Sequence, residues 1–388
     1  MFKIKTMNAI AQVGLDQLPA GDYEVGTDIA GENGILVRSA DLHSYNLPDS
    51  LWAIARAGAG TNNIPVDQCA QQGIVVFNTP GANANAVKEL VLCALFMSSR
   101  DIYGGAEWVR RQAATEGVEV SKVVEKGKAA FVGPEVYHKS LGVMGLGAIG
   151  ALVANVAISL GMEVYGYDPY LSVDNALRLD RHVHVVKDVH ELYRACDYIT
   201  IHMPYMESTR HTINADAFAS MKTGVRLINL ARGELVDDDA VVDALDCGKV
   251  ACYVTDFPNN RLAQTPNVLA FPHLGASTPE SEDNCAVMAA RQMKDFLENG
   301  NITNSVNFPN VSMERSGVQR LCIIHRNIPA MLANITLQLS KVGVNVENMT
   351  NKSRGDYAYT MVDVGSPATD EALHTIDAIP GVIRMRVI

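Results

Sequence analysis

The stretch Val143-Met144-Gly145-Leu146-Gly147-Ala148-Ile149-Gly150 decides how this chain is read. It continues Leu141–Met144, whose apolar residues predict a short buried strand, and its glycines fill the places of G-x-G-x-x-G. Gly145 permits a tight turn, Gly147 lets the backbone come close to a pyrophosphate, and Gly150 lets the following helix pack against the strand. That helix is predicted to run to about Leu160, where Gly161 stops it. Its first N–H groups and partial positive charge suit phosphate. A second apolar strand, Glu163–Tyr167, delivers Asp168, whose carboxylate can accept both hydroxyls of an adenosine ribose. Strand, glycines, helix, strand and terminal acid, in that order, predict a dinucleotide site. Asp168 repels a 2′-phosphate and Pro169-Tyr170-Leu171 brings no cation, so the expected cofactor is NAD rather than NADP.

Outward from that core, residues 1 to about 98 alternate short strands and helices. Gly34–Val37, Ala53–Arg56 and Val75–Asn78 read as parallel strands, which predicts a sheet with helices on both faces. Ala86–Met97 is apolar nearly all round and is expected to be buried between domains or between subunits; with the edge strands of the C-terminal part it suggests self-association. Residues 112–135 are polar without a period and read as a loop excursion. Between Lys139 and about Phe271 a second α/β unit is legible, with strands Tyr198–His202, Arg226–Ala231 and Lys249–Thr255. In it Asn214 and Asp237 are expected to be helix N-caps. Pro279–Glu298 is a long amphipathic helix and Val306–Ser312 reads as a linker. From about Gly317 the order strand, helix, strand, strand, helix, strand predicts a ferredoxin-like βαββαβ module. The expected fold is α/β: two doubly wound, Rossmann-like parallel-sheet domains and a C-terminal ferredoxin-like module.

The formal net charge of -11 argues against nucleic acid or an anionic membrane as partner. Seven cysteines without a C-x-x-C pair predict reduced thiols, hence a cytoplasmic protein. No apolar run reaches the ~18 residues that a membrane span requires.

In doubly wound sheets ligands bind beyond the carboxyl ends of the strands. Those ends carry Asp168, Arg232, Asp256 and His273 in one half of the chain. In the other they carry Arg56 with Ala57-Gly58-Ala59-Gly60, and Asn78 through Asn83. A nicotinamide enzyme needs a proton acceptor, a cation for a substrate carboxylate, and donors for the rest of the substrate. His273 suits the first role, since an unperturbed imidazole titrates near pH ~6.5. Arg232 suits the second through bidentate carboxylate binding. Arg56, the amides of Ala57 to Gly60, and Asn83 suit the third. A histidine after Pro272 can equally cap a loop, Arg232 can be a surface ion-pair residue, and Gly58 can be a plain turn residue. His182 and His184 lack a third convergent ligand, so no metal site is expected.

These pieces resemble the D-2-hydroxyacid dehydrogenase family over roughly residues 35–310. The match rests on Gly145–Gly150 with Asp168, His202-Met203-Pro204, Asn229-Leu230-Ala231-Arg232-Gly233 and Pro272-His273-Leu274-Gly275-Ala276-Ser277-Thr278. The resemblance implies a cofactor domain inserted into a substrate domain. Residues 1–98 and 276–307 would bind substrate, 99–275 would bind NAD, and 317–388 would form a regulatory module similar to an ACT domain. The runs His273–Thr278 and Asn301–Asn307 look most like the branch that oxidises 3-phospho-D-glycerate at the entry to L-serine synthesis. The self-association suggested by helix Ala86–Met97 and the C-terminal edge strands makes a homodimer or homotetramer the expected assembly.

The resemblance also implies roles. Arg232 would bind and polarise the substrate and His273 would exchange the proton. Gly145, Gly147, Ala148, Ile149, Gly150, Asp168, Pro204, Leu230, Ala231 and Gly275 belong to the cofactor set, and Asp256 would bond the nicotinamide carboxamide. Arg56, Ala57, Gly58 and Asn83 belong to the substrate set. His325, Asn327 and Asn345 fall where serine-regulated members sense the amino acid. Two departures stand out. The glutamate that usually follows the strand-end aspartate is missing from Asp256-Phe257-Pro258-Asn259-Asn260, which makes Asp256 a candidate partner for His273. Ala330 stands where the sensor usually has glycine. The rival readings are another 2-hydroxyacid dehydrogenase, reducing glyoxylate or hydroxypyruvate, and a non-catalytic NAD-sensing protein.

Overall fold

The structure is a computed structural model that describes residues 1–388. Its contacts divide the chain into two units, one made of residues 1–83 and 279–388 and the other of residues 84–278. The second is therefore an insertion in the first.

The inserted unit is built on a parallel sheet of seven strands: β6 (Ser140–Met144), β7 (Glu163–Tyr167), β8 (His184–Val185), β9 (Tyr198–Ile201), β10 (Val225–Asn229), β11 (Val250–Thr255) and β12 (Val268–Ala270). Their order is β12-β11-β10-β9-β6-β7-β8, with β6 in full register beside β7 and β9. The strand order reverses at β6, whose carboxyl end carries the glycine loop, and this is where doubly wound sheets bind ligands. β6 is buried at every residue, as a strand covered on both faces must be. Asn214 and Asp237 cap their helices, accepting from Ala217 N and from the N–H groups of Asp239 and Ala240.

Helix Ala84–Ser99 belongs to this unit, so the boundaries fall at 83/84 and 278/279 rather than at 98/99 and 275/276. Its Val87, Val91, Ala94 and Leu95 share a core with Leu141, Val143, Val153 and Ala154 of the glycine strand and helix. One side of the helix is used in that packing, while Cys93 and Phe96 stay exposed. Helix Ile102–Ala113 precedes the excursion at 112–135, which itself is not all irregular: it holds helix Val120–Gly127 and a short 3-10 turn at Lys128–Phe131. Asp101 caps the first, and Trp108 stacks on Phe131 at 5.7 Å. Neither helix buries a residue, although both are amphipathic, so the apolar stripe of each stays at the surface of the unit.

The other unit holds a parallel sheet ordered β2-β1-β3-β4-β5, with β1 (Phe2–Met7), β2 (Tyr23–Gly26), β3 (Gly34–Val37), β4 (Ala53–Arg56) and β5 (Val75–Phe77). It also holds an antiparallel sheet ordered β14-β15-β13-β16, with β13 (Gln319–Arg326), β14 (Val346–Arg354), β15 (Tyr357–Val364) and β16 (Val382–Val387). The second is the ferredoxin-like strand order. One core joins them: Ile4, Leu36 and Phe77 pack with Phe296 and Leu297 of the long helix Pro279–Asn299, and with Ile324, Tyr359 and Met361 of the antiparallel sheet.

The stretch 306–312, read as a linker, is instead part of this packing. Phe308 and Val311 are buried, and Val306 N donates to Val76 O. Asn307 Oδ1 accepts from Val76 N and its Nδ2 donates to Ile74 O, which satisfies the edge of β5. The antiparallel sheet in turn grips the end of the long helix. Arg386 donates to the carbonyls of Phe296 and Leu297, Arg320 Nη1 to Asn299 O at 2.8 Å, and Tyr359 OH to Gly300 O at 2.7 Å. The final carbonyls of a helix lack internal partners and carry its negative pole, so cationic donors are favourable there. No helix is long and apolar enough to cross a membrane.

Candidate active site

At the end of β6 the chain turns with Gly145 at φ +91, and a side chain there would press on the His202 carbonyl. A Cβ on Gly150 would collide with the Gly145 carbonyl, so that position too requires glycine. Gly147 faces open space and begins helix Ala148–Ser159 without a side-chain cap, leaving the first N–H groups, those of Ala148 and Ile149 among them, to a ligand. Asp168, just beyond β7, accepts from Leu146 N at 2.9 Å through one oxygen and from Tyr170 N at 2.9 Å through the other. Each oxygen keeps a lone pair, as two ribose hydroxyls require. Pro204 is exposed after β9, while Leu230 is buried with Val87 and Val91, so only its backbone is available to a ligand.

Beyond β10 and β11 the unit assembles its reactive groups around one aromatic ring. Phe257 lies against the His273 imidazole, with ring centroids 4.7 Å apart and planes at 50°. The Arg232 guanidinium carbon is 5.8 Å from the centre of the same ring. Arg232 Nη1 donates to Ala231 O at 2.7 Å, and the loop that carries it is fixed by buried Asn229, whose Nδ2 donates to Arg232 O at 2.8 Å. Next to Phe257, Asp256 is 1 % exposed and neither of its buried carboxylate oxygens has a hydrogen-bond partner. Burial pushes its carboxyl above the ordinary carboxylate range, opposed by the nearby His273 and Arg232. A buried, unpartnered carboxylate invites a donor such as a carboxamide NH2. Together with the open Gly147 backbone and the free lone pairs of Asp168, these groups fit NAD.

The raised Asp256 carboxyl has a consequence for stability. The folded apo protein binds that proton more tightly than the unfolded chain, so stability falls as pH rises from the ordinary carboxylate range, about 4, through the folded value. Asp256→Asn is therefore expected to stabilise the apo protein at neutral pH, by about 1–3 kcal/mol, and to make no difference at low pH. Thermal melting across pH checks this. NAD is expected to raise the melting temperature of the wild type more than that of the variant.

A cavity of about 480 Å³ has Phe257 in its wall, with His211, Glu234, Asp237 and Asp239 among its other lining residues. Its acidic wall disfavours an anionic hydroxy acid.

In the other unit, Arg56 ends β4 and its Nε donates to Arg38 O at 3.0 Å. The missing Cβ of Gly58 makes room for the Arg56 guanidinium, 2.7 Å from where that atom would lie. Ala57 N donates to Val37 O, and Arg38 pairs with Glu282 at 2.7 Å. Asn83 is the last residue before helix Ala84–Ser99.

The three residues read as an amino-acid sensor differ in burial and in partners. His325 is 2 % exposed, its Nδ1 donates to Arg326 O and its Nε2 bonds Thr360 Oγ1, both at 2.8 Å, so its ring is committed inside the sheet. Asn327 donates to Gly355 O and Asn345 to Glu347 Oε1, both at the surface. Ala330 has φ +64, the left-handed conformation that favours glycine. Phe257 and Asn229 are the contributors not singled out in the sequence. The one signal for them was adjacency, to a strand-end acid and to a strand-end arginine.

Sheet and glycine loop define a dinucleotide-binding α/β protein, with an arginine and a histidine beside one aromatic ring beyond its strand ends. Residues 92–275 match the D-isomer specific 2-hydroxyacid dehydrogenase, NAD binding domain. The chain is 34 % identical over 343 residues to D-3-phosphoglycerate dehydrogenase of Methanocaldococcus jannaschii, covering 84 % of this chain and 62 % of that protein, so it spans under two thirds of that relative's length. It is 32 % identical over 359 residues to D-3-phosphoglycerate dehydrogenase of Escherichia coli K12, covering 88 % of this chain and 83 % of that one. The crystal structure of NAD+-bound 3-phosphoglycerate dehydrogenase of Entamoeba histolytica superposes with a TM-score of 0.60 at 26 % identity, covering 79 % of this chain and 98 % of that one. The chain belongs to the D-2-hydroxyacid dehydrogenase family, and its inserted unit carries that family's NAD-binding domain.

Proposed function

We propose that this chain oxidises 3-phospho-D-glycerate to 3-phosphooxypyruvate with NAD, the entry step to L-serine. The observation that carries the reading is the pair Arg232 and His273 on one ring, beside the unpartnered carboxylate of Asp256 and in the unit that binds NAD. The names of the relatives support the choice of substrate. Bound NAD supplies the acceptor for the hydride that leaves C2. Arg232 holds the substrate carboxylate through its fork of donors and polarises the C2 oxygen as it becomes a carbonyl. His273 takes the C2 hydroxyl proton. Asp168 and the glycine loop hold the adenosine half, and Asp256 orients the carboxamide. Arg56, Ala57, Gly58 and Asn83 are assigned to the rest of the substrate, with Arg56 and Arg38 as cations for the phosphate.

Residues 317–388 are assigned as an ACT-like regulatory module, in which exposed Asn327 and Asn345 are the contacts offered to L-serine and His325 braces the sheet. Helix Ile102–Ala113 exposes Ile102, Tyr103 and Val109 and buries nothing, which supports a homodimer or homotetramer. The helix Ala86–Met97 packs one side inside its own unit and leaves Cys93 and Phe96 exposed for such an association. The cytoplasm suits seven free cysteines.

The test is NADH formation from 3-phospho-D-glycerate, with a hydrazine trap for the keto product, repeated with and without L-serine. Steady NADH production supports the reading. Brisk reduction of glyoxylate or hydroxypyruvate with no turnover of phosphoglycerate moves the chain to another branch of the family. No turnover of any 2-hydroxy acid overturns catalysis.

A further inference from the structure

The His273 ring is exposed and no acidic side chain of the protein is hydrogen-bonded to it. The Arg232 guanidinium has no carboxylate partner either; its Nη1 is bonded to a backbone carbonyl. Both groups nevertheless need a fixed orientation, because proton exchange and carboxylate binding act on adjacent atoms of one small substrate and depend on placement to a fraction of an ångström. What the two side chains share is Phe257, stacked on one at 4.7 Å and facing the other at 5.8 Å.

That ring is itself held from several sides. Its backbone N–H donates to Thr255 Oγ1 at 3.1 Å. Pro258 follows it and restricts its backbone to extended conformations. Gly233, next to Arg232, presents no side chain, and a Cβ there would stand 3.3 Å from Phe257 Cβ. The loop after β10 and the loop after β11 therefore meet at this residue.

We propose that Phe257 is a positioning residue, whose flat ring sets the His273 imidazole and the Arg232 guanidinium in register with each other. The inference rests on the roles given above to those two residues. It concerns the shape of the ring and not its bulk. An aromatic face offers an imidazole an offset or tilted stack and a guanidinium a cation–π contact, and a branched aliphatic chain of similar volume offers neither.

The test compares Phe257→Leu, which keeps an apolar side chain, with Phe257→Tyr, which keeps the ring, in the NADH-forming assay. Phe257→Leu is expected to lower kcat at least 10-fold and to raise KM for the hydroxy acid at least 3-fold. Its Kd for NADH, read by fluorescence, and its melting temperature stay close to wild type. Phe257→Tyr is expected to stay within about 3-fold of wild type on both constants. A merely structural ring would show the opposite pattern, with melting and NADH affinity moving together and leucine tolerated as well as tyrosine. Equal behaviour of the two variants, or a Phe257→Leu loss that tracks NADH affinity, overturns the proposal. His273→Gln serves as the control. If it retains wild-type turnover, the assignment beneath the proposal fails; if it is impaired and Phe257→Leu is not, the positioning role alone fails.

Discussion

His273→Gln is expected to lower kcat about 10²–10⁴-fold, the range in which a positioned general base contributes, while Kd for NADH stays within a few-fold. The separation follows from where the residue stands. His273 follows β12, in the exposed loop that leads to Gly275. The adenosine half of the cofactor is assigned elsewhere, to the glycine loop and Asp168, by the proposal above. Glutamine keeps hydrogen-bonding capacity and much of the size, so the ring's contact with Phe257 and its ability to accept a proton are what the variant loses. Arg232→Lys complements it. Lysine keeps the charge and loses the planar fork, so KM for the hydroxy acid is expected to rise while NADH binding is unmoved. Steady-state kinetics and fluorescence titration check both. Full turnover in His273→Gln would show that the proton leaves by another route.

The largest expected effect on stability lies far from this chemistry. Arg320 and Asp363 are both fully buried and joined by two bonds, Nε to Oδ1 at 2.5 Å and Nη2 to Oδ2 at 2.7 Å. Arg320 also donates to the carbonyls of Asn299, Met313 and Glu314. Arg320→Ala leaves a buried carboxylate and three carbonyls without that donor, and is expected to cost about 3–5 kcal/mol of unfolding free energy. Burial pushes the Asp363 carboxyl up, but the Arg320 bonds and the Ser316 N–H outweigh it and hold it below its ordinary value. A depressed folded pKa contributes stability that is present above the unfolded value of about 4 and is lost as pH falls through the folded one. The deficit of Arg320→Ala is therefore expected to be full at neutral pH and to shrink in acid. Urea denaturation at several pH values checks this. The double variant Arg320→Met with Asp363→Leu is expected to recover much of the loss, because it removes both charges. A double variant as unstable as the single would locate the cost in the carbonyl bonds.

Much of the inserted unit was legible because its signals are local. Glycines at the turn, an acid at the next strand end, and caps at Asn214 and Asp237 each act within a few residues. The C-terminal module was legible for the same reason, since its alternating strands and short turns lie in order along the chain. What escaped the sequence is what depends on distant partners. Phe308 and Asn307 sit in a polar-looking run, and only the edge of β5 makes them interior. His325 has the chemistry of a surface contact, yet Thr360 from another strand takes its ring. The apolar helix Ala84–Ser99 announced burial without announcing its neighbour. The ring of Phe257 gained its meaning only when two loops converged on it.

The interrupted course of the first unit bears on how the chain is made. Ile4, Leu36 and Phe77 are synthesised long before Phe296 and Tyr359, the side chains that cover them. Residues 84–278 meet their own partners first and can fold while the ribosome is still working. Throughout that interval the nascent N-terminal strands stay unroofed, so the period of greatest exposure to aggregation, and of need for a chaperone, is set by how long translation takes to reach the last strand.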